Sequence, residues 1–117
     1  MKITTEMVHT AYAIAKLAYE GKYTVNEAKE EIYRITGMNP NSACDYVNNF
    51  RHMVDGERYV RLMSLYATKY FVERIRADFG ETAFLSALES NRKHIAYYKP
   101  HGKRNCIEKM IQEFENQ

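Results

Sequence analysis

The chain has 117 residues, enough to bury one hydrophobic core and few for two, so a single domain over residues 1–117 is predicted. Hydrophobic residues make up 45% and charged residues 27% of the chain, which excludes wholesale disorder. The net charge of +2 is too small to indicate a nucleic-acid partner by itself. No apolar run approaches the roughly 20 residues of a membrane span, and the N-terminus has no apolar signal core. We therefore expect a cytoplasmic chain without a membrane partner.

The hydrophobic residues recur with the helical period along nearly the whole chain, which predicts an all-α fold, a compact bundle of about six helices. The first helix is predicted over residues 4–20. The second opens at Thr24, which forms a capping-box pattern with Glu27, and ends at Gly37. Two cysteines, in a chain without a secretory signal, are predicted to remain thiols.

The third helix is predicted to begin at Asn39 and Pro40, since Asn caps helices and Pro fits the first turn, and to reach about Asp55. A long fourth helix is predicted from Arg58 to Phe79. Its core-facing positions are predicted to be Leu62, Leu65, Val72, Ile75 and Phe79. The fifth and sixth helices are predicted over residues 81–98 and 103–115, with Pro100 between them.

A second stripe on the predicted fourth helix consists of Tyr59, Met63, Tyr66 and Tyr70. Two interpretations stay open for it. Either this helix is central and packs on more than one side, or the four residues are exposed and form a homodimer or adaptor interface, because Tyr and Met are enriched in protein interfaces.

The second and third helices have the layout of a helix-turn-helix over residues 25–55, with a glycine-containing turn and a polar outer face on the third helix. In this interpretation the third helix enters the major groove of double-stranded DNA. Asn, Ser and Asp side chains offer the donors and acceptors that base edges require. The candidate base contacts are Asn41, Ser42, Asp45, Asn48, Asn49 and His52. The alternative is a solvated polar face beside an ordinary interhelical turn.

Positive charge is concentrated in the stretch NRKHIAYYKPHGKRN, residues 91–105, which has five Lys or Arg, two His and no acidic residue. Clustered cations beside tyrosines are suited to phosphate, because each cation releases condensed counterions from a nucleic acid. The candidate phosphate contacts are Arg51, Arg58, Tyr59, Arg61, Arg92, Lys93, Lys99, Lys103 and Arg104, with His94 and Tyr97 extending the surface. The alternatives are a solvated basic face and local neutralisation of Arg58 and Arg61 by Asp55 and Glu57.

Catalytic and metal-binding patterns are missing from the sequence, so no catalytic residue, metal or cofactor is expected. The four histidines show no HExxH or other compact ligand spacing. There is no GxSxG, P-loop or GxGxxG pattern either. The chain is therefore predicted not to be an enzyme.

The segments NPNSA at 39–43, DGERYVR at 55–61 and HIAYY at 94–98 resemble a helical domain from the N-terminal portion of bacterial HNH-type and other restriction-endonuclease-like proteins. The resemblance covers roughly residues 5–98. It implies a module that helps a nuclease to grip DNA, including modified DNA. The chain has no metal-binding ββα unit after residue 98, so any cleavage is expected from a partner or from a missing nuclease domain.

Overall fold

The computed structural model describes residues 2–98 and 105–117. These residues form six α-helices and no strand, which confirms the prediction of an all-α fold with about six helices. The helices are α1 (Thr5–Tyr19), α2 (Val25–Thr36), α3 (Pro40–Asp55), α4 (Leu65–Phe79), α5 (Glu81–Tyr98) and α6 (Asn105–Glu115). Among the described helices, none is both long and apolar enough to cross a membrane.

Contacts within the chain group it into two compact units, Met1–Arg51 and His52–Gln117. Helix α3 is continuous across the boundary, so its last turn belongs to the second unit. The prediction of a single domain stays a prediction.

In the first unit, α1 packs against α2 and also contacts α3 through aromatic rings. Tyr12 and Tyr19 on α1 meet the ring of Phe50 edge to face, with centroid distances of 5.2 and 5.8 Å. Edge-to-face pairs align the positive edge of one ring with the negative face of the other. Ala28 and Ile32 of α2 are fully buried, which fixes the inner face of that helix.

The connection between α2 and α3 has the chain order predicted for a helix-turn-helix. Thr24 and Glu27 form the capping box at the start of α2, with hydrogen bonds of 3.1 and 2.9 Å. Gly37 closes this helix in the left-handed region at φ +77°, which suits a residue without Cβ. The Oδ1 atom of Asn39 then accepts from the N–H of Asn41 at 2.8 Å and caps α3. Contact of α3 with DNA stays a prediction.

In the second unit, α5 packs against α4 and α6, and α4 also contacts α6. Phe71, Val72 and Ile75 of α4 have no exposed surface. The rings of Phe84 and Phe114 join α5 to α6 at a centroid distance of 5.5 Å. The buried residues of α6 are Ile107, Met110, Ile111 and Phe114, which recur at helical spacing.

The start of the fourth helix differs from the prediction. Helix α4 begins at Leu65, and Ser64 is its N-cap, with Oγ accepting from the N–H of Ala67 at 3.1 Å. The prediction that the helix starts at Arg58 is therefore wrong. Residues 57–64 instead form an irregular segment between α3 and α4.

Which side chains are buried in this region does not match the stripe expected of a helix. Leu62 is 57% exposed and Leu65 is 42% exposed, so two predicted core positions are wrong. Tyr59 and Met63, in contrast, are buried. The four-residue stripe of tyrosines and methionine is thus divided between two kinds of structure, since Tyr66 and Tyr70 lie on α4 and Tyr66 is exposed.

Candidate nucleic-acid interface

One face of α5 binds the backbone of residues 56–60, which we call the anchored segment. Ser90 Oγ donates to the carbonyl oxygen of Glu57 at 2.5 Å, and Lys93 Nζ donates to that of Gly56 at 2.8 Å. The hydroxyl of Tyr98 donates to the carbonyl oxygen of Val60. An irregular segment has no helical partners for its carbonyl groups, so these side chains of α5 satisfy them instead.

Tyr59 fixes the anchored segment to the protein interior. Its ring stacks on the ring of His94 at a centroid distance of 4.1 Å and an interplanar angle of 11°. Its hydroxyl donates to Asn91 Oδ1 at 2.5 Å, and Asn91 Nδ2 donates to the carbonyl oxygen of Ala87 at 2.8 Å. The carbonyl oxygen of Tyr59 lies 2.8 Å from His94 Nδ1. Because a carbonyl oxygen can only accept, Nδ1 is the protonated donor in this hydrogen bond.

Two predictions for the basic surface are corrected by this burial. Tyr59 is only 1% exposed, so it is not available as a phosphate contact. His94 is fully buried beneath the anchored segment and does not extend the basic surface. Both side chains instead pack in the interior beneath the neighbouring exposed residues.

An open cleft of about 720 Å³ lies beside the anchored segment, and its size is within the usual range for ligand-binding clefts. We call it the Arg58 cleft. Its lining residues are His52, Glu57, Arg58, Lys93, Ala96 and Tyr97. The guanidinium carbon of Arg58 lies 4.8 Å from the centroid of the Tyr97 ring, a cation–π contact.

The cleft brings together three predicted DNA contacts from separate places in the sequence. His52 comes from the last turn of α3, Arg58 from the anchored segment and Lys93 from α5. Among the described residues, Arg58 and Lys93 form no ion pair. Glu57 therefore does not neutralise Arg58 through an ion pair, which was the alternative interpretation. A cation that lacks a carboxylate partner is available to an external anion.

Arg92, a further predicted phosphate contact, is engaged within the protein. Its guanidinium pairs with Glu115 on α6 and with Glu89 one turn earlier on α5, the latter at 3.2 Å. Burial lowers the pKa of Arg92 and the hydrogen bonds to Glu115 and Glu89 raise it, with a net rise above the ordinary value. Two carboxylates around one guanidinium neutralise it, so Arg92 is a poor phosphate contact.

The other predicted phosphate contacts are distributed differently. Arg51 is exposed near the end of α3, and Arg61 is exposed in the irregular segment rather than on a helix, so the predicted helical face shared by Arg58 and Arg61 does not exist. Lys99, Lys103 and Arg104 lie outside the described residues.

The predicted base contacts on α3 differ in exposure. Asn41 is exposed, whereas Ser42, Asp45 and Asn48 are half-buried. Asn48 Nδ2 lies 3.5 Å from Cys44 Sγ, a weak contact between neighbouring turns of the helix. Asn49 is 2% exposed and is corrected from a base contact to a buried polar residue. Of the other five candidates, Asn41, Ser42, Asp45 and Asn48 keep exposed surface along α3, and His52 lines the Arg58 cleft.

No protein-family model, curated protein or solved structure matches the chain. The resemblance to the helical domain of HNH-type and restriction-endonuclease-like proteins therefore stays a prediction. In the part of the chain that the structure describes, no three His, Cys, Asp or Glu residues are grouped to hold a metal ion.

Sequence reasoning did not identify the residues that hold the anchored segment. Ser90, His94 and Tyr98 recur every four residues on α5, and this spacing places them on one face of the helix. The spacing was visible in the sequence as a polar and aromatic stripe. Its partner was not, because residues 56–60 lie more than thirty positions away along the chain.

Proposed function

We propose that the chain is a non-catalytic DNA-binding module, in which the Arg58 cleft contacts phosphates and the polar face of α3 reads a groove. The observation that carries the proposal is the pair formed by Arg58 and Lys93, two exposed cations without an ion pair among the described residues that line the same cleft. Such a pair can neutralise adjacent phosphates, and each neutralised phosphate releases counterions. We further propose that the module serves a restriction or nuclease-type system, with cleavage carried out by another polypeptide or segment.

The contrast with three other arginines of the second unit supports this assignment. Arg74 pairs with Asp78 at 3.0 Å, Arg76 pairs with Glu81 at 2.7 Å, and Arg92 has two carboxylate partners. Arg58 lies instead on the ring of Tyr97. An aromatic ring orients the guanidinium without cancelling its full charge, so the hydrogen-bond donors of Arg58 stay available to phosphate.

The experiment compares duplex DNA affinity across a salt series for the wild type and for the combined variant Arg58→Gln and Lys93→Gln. We expect wild-type affinity to fall steeply with salt. The variant should bind more weakly, with a log–log slope shallower by about 0.9 for each phosphate that it no longer neutralises. The matched control is Lys69→Gln combined with Lys109→Gln, which removes the same charge from exposed positions on α4 and α6 that form no ion pair among the described residues.

Equal affinity and slope in the cleft variant and the wild type would contradict the phosphate assignment. If the control variant lost as much DNA affinity as the cleft variant, the loss would reflect net charge and not a site at the cleft. The same titration with unmodified and cytosine-methylated duplexes addresses α3, because a preference for either duplex requires reading of base edges in addition to phosphate contacts.

A second candidate function is homodimerisation through an exposed apolar surface at the start of α4. Leu62, Leu65 and Tyr66 are all exposed, and the rings of Tyr66 and Tyr70 are nearly parallel with centroids 6.2 Å apart. The predicted interface included Tyr59 and Met63, and burial removes both from that surface. Grouped exposed apolar side chains are typical of protein interaction surfaces.

Light scattering over a concentration series tests this second function. A homodimer would double the molar mass as concentration rises, and Leu62→Lys with Leu65→Lys would return the chain to a monomer, because charge at an apolar interface must be desolvated. A monomer at the highest concentration would exclude this interface. If that monomer bound DNA, DNA binding would remain as the proposed function.

A further inference from the structure

Glu57 gives the Arg58 cleft a feature that phosphate binding does not explain. Its carboxylate is exposed among Arg58, Lys93 and His52, and in the described part of the chain it forms no ion pair. A carboxylate repels phosphate, so a surface that bound only phosphates would have higher affinity without it. In nucleic-acid recognition a carboxylate has a different use, because it accepts a hydrogen bond from an exocyclic amine such as N4 of cytosine.

The position of Glu57 is fixed at both sides of its backbone. Its N–H donates to the carbonyl oxygen of His52 at 2.8 Å, and its own carbonyl accepts from Ser90 Oγ at 2.5 Å. The next residue, Arg58, is followed by the buried Tyr59, so it too begins from a fixed backbone. Side chains that start from a fixed backbone lose less conformational entropy when a ligand binds.

Arg58 and Tyr97 together supply a surface on which a base can stack. Tyr97 is 41% exposed, and its ring lies near that of Tyr98, with centroids 5.1 Å apart and an angle of 19° between planes. The guanidinium of Arg58 covers the Tyr97 ring. Splayed bases stack on arginine planes as well as on aromatic rings, so the outer side of Arg58 is the stacking surface of this cleft.

Lys93 completes the set of groups that a nucleotide requires. Its ammonium has three N–H donors and directs one of them to the carbonyl oxygen of Gly56 at 2.8 Å. This contact holds the ammonium at the edge of the cleft while the other donors can bind a phosphate oxygen. The cleft volume of about 720 Å³ is large enough for one nucleotide.

We propose that the Arg58 cleft binds one unpaired nucleobase of single-stranded DNA, with the base stacked on Arg58, an exocyclic amine donating to Glu57 and the phosphate on Lys93. The inference rests on the proposed DNA-binding function and adds the class of ligand. It sets cytosine apart from thymine, which has the same ring size but carries an oxygen acceptor where cytosine has its amine. That oxygen and the Glu57 carboxylate repel each other.

The test measures the affinity of the whole chain for oligo-dC and oligo-dT of equal length, and for a duplex, by fluorescence anisotropy at slightly alkaline pH. We expect wild-type protein to prefer oligo-dC about tenfold, the discrimination of one good base contact. Glu57→Gln should abolish the preference, since the amide can serve either base. The readout is the ratio of the two affinities, because removal of the negative charge raises binding to every phosphate chain.

Two further variants separate stacking from charge. Arg58→Lys keeps the cation but loses the planar surface, so it should lose more affinity for oligo-dC, about tenfold, than for the duplex. Arg74→Lys, the same exchange at an exposed position of α4 that does not line the cleft, should behave as the wild type. Full oligo-dC affinity in Arg58→Lys would overturn the stacking arrangement.

The two levels of the proposal fail in different ways. Equal wild-type affinity for oligo-dC and oligo-dT, with salt-sensitive duplex binding intact, would overturn the unpaired-base inference and leave the DNA-binding function standing. Absence of binding to all three probes at low salt would overturn both. A dC preference that survives in Glu57→Gln would remove Glu57 from recognition and contradict the inference.

Discussion

Tyr59→Ala is expected to lower the free energy of unfolding of the second unit by about 3–5 kcal/mol, the cost of truncating a large buried aromatic residue. The substitution removes a ring stacked on His94 and a hydroxyl bonded to Asn91, both in the interior. Urea denaturation followed by circular dichroism measures the change, since the chain has no tryptophan to serve as a fluorescent reporter. Arg58→Ala, one residue earlier and exposed, is the control and should change stability little.

Two milder variants separate the ring from the hydrogen bond. Tyr59→Phe keeps the ring but leaves Asn91 Oδ1 without the hydroxyl that donates to it at 2.5 Å, and we expect a cost of about 1–3 kcal/mol. A double-mutant cycle with Asn91→Leu isolates the coupling between the two side chains. If Tyr59→Ala unfolded at the same urea concentration as the wild type, residues 56–60 would not be held to α5 as described.

Most of the helical fold could be predicted from local sequence because its boundaries are encoded locally. The capping box at Thr24 and Glu27, the left-handed Gly37 and the Asn39 cap all lie within a few residues of the helix ends that they define. The buried residues of α1 and α6 likewise recur at the helical spacing from which these helices were predicted. These features depend on neighbours three or four positions away, which a single sequence displays.

The error at the fourth helix has the opposite cause. Tyr59 and Met63 are spaced as on a helix and are buried, yet the segment that carries them is irregular. Its carbonyl groups are satisfied by side chains of α5 more than thirty residues away, so tertiary contacts override local propensity. Ser64 was the local signal for the true start, because its side chain caps α4.

The candidate site could be predicted only in part. Lys93 and Arg58 were identified from residue type, but periodicity placed Arg58 on a helix and gave no reason for it to lie beside Tyr97. Local charge counting also failed for Arg92, whose partner Glu115 lies on a different helix. Residue type indicates what a side chain can bind, whereas only the folded chain determines whether a protein group has already occupied it.

The structure also gives a physical reason for two of the sequence motifs to occur together. The motif DGERYVR at 55–61 supplies the anchored segment, and HIAYY at 94–98 supplies His94 and Tyr98, which bind it. One set of residues in these motifs is therefore structural. The exposed set, including Arg58 and Tyr97, lies on that support and is where the proposed ligand would bind.

Gly56→Val is expected to abolish binding at the Arg58 cleft and to lower the free energy of unfolding by about 2–5 kcal/mol, combining left-handed strain with overpacking. Gly56 has φ +72°, and a Cβ added there would lie 3.5 Å from the Cβ of Ser86 on α5. That distance is an ordinary contact, so the crowding against α5 would come from the two γ-carbons of valine. Its N–H donates to Met53 and the N–H of Glu57 donates to His52, a Schellman ending for α3. The β-branched side chain would therefore displace the residues that begin the cleft.

Gly21→Val is a closely matched control for this prediction. Gly21 ends α1 with the same pair of backbone hydrogen bonds, from its own N–H to Ala18 and from Lys22 to Leu17, and has φ +86°. No atom lies within 4 Å of its added Cβ, so only the strain of about 1–2 kcal/mol should appear. Urea denaturation and oligo-dC anisotropy on both variants separate the two effects. If Gly56→Val retained full oligo-dC affinity, the backbone of residues 56–60 would not position the cleft, and the ending of α3 would not be coupled to ligand binding.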